Sequence, residues 1–269
     1  MKISFIGGGN MARALIGGLI AQGRAPDDIS VIELDADKRR QLHAEYGIAA
    51  SDQIPGTASA DIVVLAVKPQ QLRDIAIFLG SVLRKQLVIS VAAGIRSSDL
   101  IRWLGGYDAV IRVMPNTPAQ IRSGVSALFA ASGVSADQRT QAETIFSAVG
   151  STIWLDDETQ MDAVTAVSGS GPAYVFYFVE AMQQAARELG LSDAQARELS
   201  LQTFLGASQL ALQSTELPET LRAQVTSKGG TTERALLSME NSGVKAAIIQ
   251  ALRAAAERSR ELGDLLGKD

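Results

Sequence analysis

A glycine-rich turn directly behind a short apolar run constrains the fold of this 269-residue chain more than any other feature. Residues 3–6 are apolar apart from Ser4, and residues 7–12 read Gly-Gly-Gly-Asn-Met-Ala, which fits the pattern G-x-G-x-x-G/A. In such turns the first glycine permits a tight bend, and the second lets a pyrophosphate approach the backbone at a helix N-terminus. The strand-turn-helix context therefore predicts a Rossmann unit that binds a dinucleotide through Gly7, Gly9, Asn10, Met11 and Ala12. A glycine-rich turn without a ligand is the alternative.

Charge and residue usage exclude several classes of function. The net charge is −4 and no block of Lys and Arg indicates an anionic membrane, so we expect no nucleic-acid partner and no membrane binding. No apolar stretch reaches the ~18 residues of a membrane span, and a cytoplasmic location is expected. With no cysteine and one histidine, disulfides and thiol nucleophiles are excluded, and no metal site is expected. His43 is interpreted as a solvated residue on a polar helix face, with a catalytic role as the alternative.

The first half of the chain alternates apolar runs with helical segments. Strands are predicted at residues 3–6, 29–33, 62–67, 87–91, 110–114, 125–130 and 152–155. Helices are predicted between them, with Ser97 or Ser98 as one N-cap and a capping box from Ser135 to Gln138 as another. Strands that alternate with helices indicate an α/β fold, an N-terminal Rossmann domain with a doubly wound sheet.

The pattern changes near Asp156, after which no convincing strand occurs. Helices are predicted from Pro172 to Gly190, from a capping box at Ser192 to about 214, and then from about 218, 231 and 244. We therefore expect a dinucleotide-binding domain at residues 1–155 and an all-α domain at residues 156–269. The helices are apolar over wide faces, which favours burial against a second copy of the chain.

Two proline-containing motifs follow predicted strands. Val67, Lys68 and Pro69 end one strand, and residues 114–118 (Met-Pro-Asn-Thr-Pro) end another. Ligands of doubly wound sheets bind outside the carboxyl ends of strands, so both motifs are candidate cofactor-side loops. Prolines that merely stop strands are the alternative.

Two segments rich in small and hydroxyl residues occur in the helical half. They are residues 168–172 (Ser-Gly-Ser-Gly-Pro) and 226–232 (Thr-Ser-Lys-Gly-Gly-Thr-Thr). Each is predicted to stand at a helix start, where hydroxyls and free N–H groups beside the positive helix end suit a carboxylate. Ordinary helix capping is the alternative.

An acidic residue, Glu33, closes the second predicted strand, about 20 residues beyond the glycine turn. An acid in this place typically accepts hydrogen bonds from the adenosine ribose and repels a 2′-phosphate. Lys38, Arg39 and Arg40 follow, and they either receive such a phosphate or form a solvated helix face. The sequence therefore leaves NADH and NADPH open as cofactors.

Taken in order, these motifs resemble the pyrroline-5-carboxylate reductase family over nearly the whole chain. The resemblance rests on residues 5–12, 67–69, 114–118, 166–174 and 225–232. Two residues depart from the family pattern: Lys228 stands where proline is more usual, and Glu33 stands where many relatives carry a small polar residue and prefer NADPH. The resemblance implies an N-terminal Rossmann domain, an all-α C-terminal dimerisation domain and a homodimer, with assembly of dimers into larger oligomers left open.

The resemblance also implies an activity and roles for individual residues. The activity is the NAD(P)H-dependent reduction of 1-pyrroline-5-carboxylate to L-proline. Thr232 is the candidate catalytic residue, near the ring nitrogen, and Asn116 is expected near the nicotinamide. Substrate binding is expected at Ser170, Ser227, Gly230, Thr231 and Thr232. Cofactor binding beyond the glycine turn is expected at Glu33, Val67, Lys68, Pro69 and Asn116.

Imine reduction suits a chain with a single, unpromising histidine. The hydride passes from nicotinamide C4 to the imine carbon, and the nitrogen can take its proton from solvent, so no strong side-chain base is required. Two rival functions are left open. One is a β-hydroxyacid dehydrogenase, which commonly uses a catalytic lysine, and the other is a nucleotide-binding redox sensor without turnover.

Overall fold

The apolar runs of the first half form one eight-stranded sheet in the computed structural model, which describes residues 1–268 apart from the side chains of Pro55 and Ala58. The strands are β1 (Ile3–Ile6), β2 (Ile29–Ile32), β3 (Ala49–Ser51), β4 (Ile62–Leu65), β5 (Leu87–Ser90), β6 (Val110–Met114), β7 (Gly124–Ala130) and β8 (Gly150–Trp154). Their order across the sheet is β3-β2-β1-β4-β5-β6-β7-β8, and neighbours are parallel except β6 and β7. The direction of winding reverses between β1 and β4, which makes this the topological switch point.

Helices connect the strands and form the second half of the chain. They are α1 (Asn10–Ala21), α2 (Ala36–Tyr46), α3 (Pro69–Val82), α4 (Ser97–Trp103), α5 (Ala136–Ser147), α6 (Met161–Val164), α7 (Gly171–Glu188), α8 (Asp193–Gln213), α9 (Pro218–Gln224), α10 (Thr231–Asn241) and α11 (Val244–Leu266). A π-helical turn, Thr165–Gly169, joins α6 to α7. Within residues 1–268 no helix combines the length and hydropathy that crossing a membrane requires.

Helices cover both faces of the sheet because successive strand residues point to opposite sides. In β4, Ile62 and Val64 pack in one buried cluster with Leu15 of α1, while Val63 and Leu65 pack in another with Leu72 of α3. Continuous apolar runs such as this one are what a parallel strand buried on both faces requires. The prediction of a doubly wound α/β sheet followed by helices is confirmed.

The chain divides into two compact units by its internal contacts. The first is Met1–Ser170 together with the segment from Ala255 onward, and the second is Gly171–Ala254. The end of α11 is held in the first unit, where Arg96 pairs with Asp264 and a Cβ atom at Gly263 would lie 3.1 Å from the Gly94 carbonyl oxygen. The functional boundary expected at residue 155 stays a prediction.

The second unit leaves many large apolar side chains exposed in the single chain. Phe176 and Tyr177 of α7 are 67% and 71% exposed, and Leu212 of α8 is 86% exposed. Exposed apolar surface of this kind is typical of a face that contacts another molecule.

Several local features differ from the predictions at the level of single elements. Strands β2 and β4 end at Ile32 and Leu65, before the predicted residues 33 and 67, and the three-residue edge strand β3 carries no periodicity that would mark it. Helix α4 has Arg96 in the N-cap position, and neither predicted serine caps it. Instead, the Glu158 carboxylate, distant in sequence, accepts from the N–H of Ser97 at 2.7 Å and from its hydroxyl.

Candidate active site

The glycine turn and the end of β4 meet at the switch point of the sheet. Gly7 follows β1 with φ +98°, and a Cβ atom at this position would lie 2.7 Å from the Ala66 carbonyl oxygen. Glycine is the residue that adopts this backbone conformation and permits so close an approach. Residues 67–69 therefore lie beside the glycine turn, at the carboxyl ends of β1 and β4, where doubly wound sheets bind ligands.

The start of α1 offers an uncapped helix N-terminus. Gly9 is the N-cap residue, and among the described residues no side chain caps the helix and no acid lies in its first turn. A Cβ atom at Gly9 would meet nothing within 4 Å, so the turn leaves open space here. First-turn N–H groups have no intrahelical acceptor, and the helix dipole favours negative charge beside them. The residues present therefore fit the pyrophosphate of a dinucleotide.

Glu33 is half-buried directly after β2 and uses both carboxylate oxygens on backbone N–H groups. Its Oε2 accepts from the N–H of Gly8 at 2.9 Å, and its Oε1 accepts from the N–H of Asp35 at 3.0 Å. The carboxylate therefore ties the glycine turn to the connection between β2 and α2. A negative charge is fixed at the carboxyl end of β2, where the sequence predicts the ribose.

Two of the three basic residues that follow are held in local contacts. Arg39 donates to the carbonyl oxygens of Glu33 and Leu34 at 2.7 and 2.8 Å. Arg40 pairs with Asp37 on the same helix. The basic segment is therefore tied down partly by its own surroundings.

Asn116 is buried behind the end of β6, and its side-chain amide is engaged with the protein. The residue is 8% exposed. Its Nδ2 donates to the carbonyl oxygen of Ser168 at 3.2 Å, and its Oδ1 accepts from the N–H of Val125 at 3.0 Å. The side chain links the loop after β6 to β7 and to the π-helical turn. The expected position near the nicotinamide stays a prediction.

Residues 168–172 contain the start of a helix, as predicted: α7 begins at Gly171, and Pro172 lies in its first turn. This start directly follows the short helix α6 and the π-helical turn, in which the N–H of Ser170 donates to the Thr165 carbonyl at 2.8 Å, the spacing of a π-turn. The preceding helical residues were not predicted. In the part of the chain that the structure describes, the Ser170 hydroxyl has no hydrogen-bond partner.

The second hydroxyl-rich segment does open a helix, as predicted. Helix α10 begins at Thr231 with Gly230 as N-cap, and no described side chain caps it. The N–H of Gly230 donates to the Ser227 carbonyl at 3.0 Å, and the N–H of Gly229 donates to Glu233 at 2.7 Å. The hydroxyl groups of Ser227, Thr231 and Thr232 belong to exposed residues, as does the cation of Lys228.

A buried ion pair behind β6 is a feature that the sequence reasoning missed. Arg112 of β6 donates to Glu158 Oε1 at 2.9 Å, and the two side chains are 8% and 19% exposed. The same carboxylate holds the start of α4 through Ser97. The signal in the sequence is a lone arginine within the apolar run of β6, which requires a buried partner.

Comparison with known proteins assigns the two halves of the chain. Residues 158–262 match a family model described as pyrroline-5-carboxylate reductase dimerisation, and residues 2–94 match one described as NADP oxidoreductase, coenzyme F420-dependent. The pyrroline-5-carboxylate reductase of Pseudomonas aeruginosa is 49% identical over 269 residues, which cover 99% of this chain and 98% of that protein.

Solved structures give the same assignment. A pyrroline-5-carboxylate reductase from Coxiella burnetii superposes with a TM-score of 0.92 at 43% identity, over 97% of this chain and 98% of that one. The pyrroline carboxylate reductase of Plasmodium falciparum, solved with NADP bound, gives 0.89 at 28% identity over 98% of each chain. The resemblance found in the motifs is confirmed, and the chain belongs to the pyrroline-5-carboxylate reductase family.

Proposed function

We propose that this chain reduces the C=N bond of 1-pyrroline-5-carboxylate with a hydride from a reduced nicotinamide cofactor, giving L-proline in the last step of proline biosynthesis. Family membership over the full length supports the reaction. The observation that carries cofactor use is the open, uncapped start of α1 at the switch point of the sheet. No described feature favours the β-hydroxyacid dehydrogenase or the redox sensor over this function.

The bound cofactor supplies the hydride, and the chain holds and orients it. We assign the pyrophosphate to the first-turn N–H groups of α1, with Gly7 and Gly9 giving the bend and the room. We assign the ribose side to Val67, Lys68 and Pro69, beside that turn, and the nicotinamide side to the loop of Asn116. Catalysis then comes mainly from positioning two reactants, an effect worth at best roughly 7–11 kcal/mol.

We assign the substrate carboxylate to the start of α10. The hydroxyl groups of Ser227 and Thr231 and the free first-turn N–H groups behind Gly230 offer hydrogen bonds to it, and Lys228 adds positive charge. The Thr232 hydroxyl is assigned to the ring nitrogen, which takes its proton from solvent. The free hydroxyl of Ser170 is assigned to the substrate as well.

We propose that NADH is preferred over NADPH. The Glu33 carboxylate fills the place bounded by the N–H groups of Gly8 and Asp35, so a 2′-phosphate beside the end of β2 would meet a fixed negative charge. Like charges about 4 Å apart repel by about 1–4 kcal/mol at effective dielectric constants between those of water and a protein surface.

The test is a spectrophotometric assay with 1-pyrroline-5-carboxylate that compares NADH with NADPH. Glu33→Ser should raise kcat/KM for NADPH relative to NADH at least about tenfold, since that repulsion disappears. Asp27→Ser removes an exposed acid before the opposite, amino end of β2 and should leave the ratio unchanged. An unchanged ratio in Glu33→Ser would show that another residue decides the preference. Oxidation of neither cofactor would refute the reductase, and cofactor binding alone would favour the sensor.

We also propose a homodimer built through the helical half. The dimerisation match over residues 158–262 and the exposed apolar residues of α7 and α8 support it. Light scattering in solution should give twice the mass of the chain, or a larger even multiple where dimers assemble further. A monomer at micromolar concentration would contradict the proposal.

A further inference from the structure

We propose that Asn116 is a positioning residue that holds the π-helical turn Thr165–Gly169, and with it Ser170, in place against the loop that follows β6. It acts on the reaction through the turn rather than by touching a reactant. The kinetic consequence rests on the proposed reductase function, whereas the structural consequence does not.

The Ser168 carbonyl oxygen, in the π-helical turn just before α7, accepts a hydrogen bond from a distant side chain. In an α-helix the carbonyl of residue 168 would accept from the N–H of residue 172. Residue 172 is a proline, which has no N–H to donate. Asn116 Nδ2 donates to this carbonyl oxygen at 3.2 Å instead. The side chain of a distant loop therefore gives this carbonyl a hydrogen bond that residue 172 cannot give it.

The Asn116 side chain is itself fixed by a second hydrogen bond and by burial. Its Oδ1 accepts from the N–H of Val125 in β7 at 3.0 Å, and the residue is 8% exposed. The amide thus bridges the sheet and the turn with little freedom to reorient. A buried hydrogen bond of this kind transmits a position because leaving either partner unpaired costs free energy.

The π-helical turn also packs closely against the end of β6. A Cβ atom at Gly169 would overlap the terminal methyl group of Met114, the last residue of β6. A larger residue at this position would therefore displace the end of the Met114 side chain. The Arg112–Glu158 pair fixes the chain just before α6 to the middle of the same strand. Met114 at the end of β6 and Asn116 in the loop behind it therefore contact residues 165–169, and the Arg112–Glu158 pair holds the segment that leads into α6.

Ser170 connects the π-helical turn to the proposed reaction. Ser170 follows the turn directly, and its hydroxyl has no partner in the described part of the chain, so it stays available to a ligand. π-helical turns occur frequently at functional sites, where they set the direction of particular side chains. Release of the Ser168 carbonyl would loosen the turn and change where the Ser170 hydroxyl lies.

The experiment combines Asn116→Ala with a repair on the other side of the hydrogen bond. Asn116→Ala should lower kcat/KM for 1-pyrroline-5-carboxylate about tenfold, which equals about 1.4 kcal/mol. The dissociation constant of NADH should change less than about twofold, and hydrogen exchange of the amides at residues 165–170 should become faster. Pro172→Ala supplies an N–H to the Ser168 carbonyl, so the double variant should regain exchange protection and part of kcat/KM.

Tyr107→Phe is the matched control. Tyr107 Oη donates to the Gln86 carbonyl oxygen at 2.6 Å, so this variant also removes a hydrogen bond from a side chain to a backbone carbonyl. The bond lies near the amino ends of β5 and β6, whereas Asn116 lies near the carboxyl end of β6. Tyr107→Phe should lower stability but leave kcat/KM and the exchange of residues 165–170 unchanged. An equal loss of kcat/KM in this variant would reduce the effect at Asn116 to general stability and overturn the proposal.

Two further results would also overturn it. Weaker NADH binding with unchanged exchange at residues 165–170 would mean that Asn116 contacts the cofactor, and failure of Pro172→Ala to restore exchange protection would break the link to the Ser168 carbonyl. If Asn116→Ala does not fold, the same measurements are made on Asn116→Ser, which keeps a short hydroxyl group. Should the wild-type chain not reduce the imine, the reductase proposal fails, while exchange and its repair still decide the role of Asn116.

Discussion

Removal of the Glu158 carboxylate should destabilise the chain far more than the loss of an ordinary ion pair. The carboxylate accepts from Arg112 at 2.9 Å and from the N–H of Ser97 at 2.7 Å, and it also accepts from the Ser97 hydroxyl. Because the Arg112 side chain is 8% exposed, Glu158→Ala leaves a guanidinium in the interior without its main partner.

The size of the effect follows from this burial. Breaking a buried pair from one side typically costs 3–5 kcal/mol, so we expect about 4 kcal/mol for Glu158→Ala. Replacing both partners, as in Arg112→Met with Glu158→Ala, removes the unpaired charge and should recover a large part of that loss. Glu261→Ala is the control. The distance from Arg258 to Glu261 is similar, 2.7 Å, but the Arg258 side chain is 60% exposed and the Glu261 side chain is 48% exposed. That exposed pair should be worth about 0.2–1 kcal/mol.

The assay is urea unfolding followed by circular dichroism, at one fixed protein concentration because the stability of a dimer depends on concentration. The free energies of unfolding should rank Glu158→Ala lowest, the double variant above it and Glu261→Ala near wild type. A cost below about 1 kcal/mol for Glu158→Ala, the range of exposed pairs, would refute the reasoning from burial. A double variant no more stable than Glu158→Ala would refute the claim that the unpaired guanidinium is the cause.

Three other substitutions test separate features. Thr232→Ala should raise KM or lower kcat for the imine with little change in stability, whereas Thr140→Ala on the exposed face of α5 should change neither; wild-type kinetics in Thr232→Ala would remove that hydroxyl from the mechanism. Gly7→Ala should cost more stability and more NADH affinity than Gly23→Ala, since both glycines have positive φ, +98° and +90°, but only the Cβ atom at Gly7 would meet another residue within 4 Å. Equal costs would show that backbone strain alone matters there. Burial, together with Glu45, raises the pKa of Tyr46 from 10.0 to about 12, so its contribution to stability is present below pH 10 and is lost as the pH rises towards 12. Tyr46→Phe should therefore flatten the fall in unfolding free energy over that range, and an unchanged slope would contradict the shift.

Patterns that depend on neighbouring residues could be predicted from the sequence. The continuous apolar run of β4 and the capping box at Ser135 both depend on residues close in the chain, and both form as expected. The glycine turn behaves likewise, because the constraint on Gly7 is already present in the strand-turn-helix context.

Features that depend on distant partners could not be predicted in this way. Pro172 lies in the first turn of α7, as the local rules predict, but the hydrogen bond from the Asn116 amide to the Ser168 carbonyl just before that helix has no local signal. The N–H of Ser97 at the start of α4 likewise donates to Glu158, which is distant in sequence. Glu33 lies directly after β2, as its place in the sequence indicates, but its two hydrogen bonds to the backbone of Gly8 and Asp35 carry no local signal.

The return of α11 to the first unit has a consequence for how the chain is made. The ribosome delivers the whole of Gly171–Ala254 before the segment from Ala255 onward, which the first unit needs to cover Gly94 and to pair Arg96 with Asp264. Domains generally fold as units during synthesis. Most of the first unit is translated first, but its contacts are complete only after the second unit has been synthesised. A nascent chain stalled before residue 255 would therefore expose the uncovered part of the first unit to chaperones and proteases.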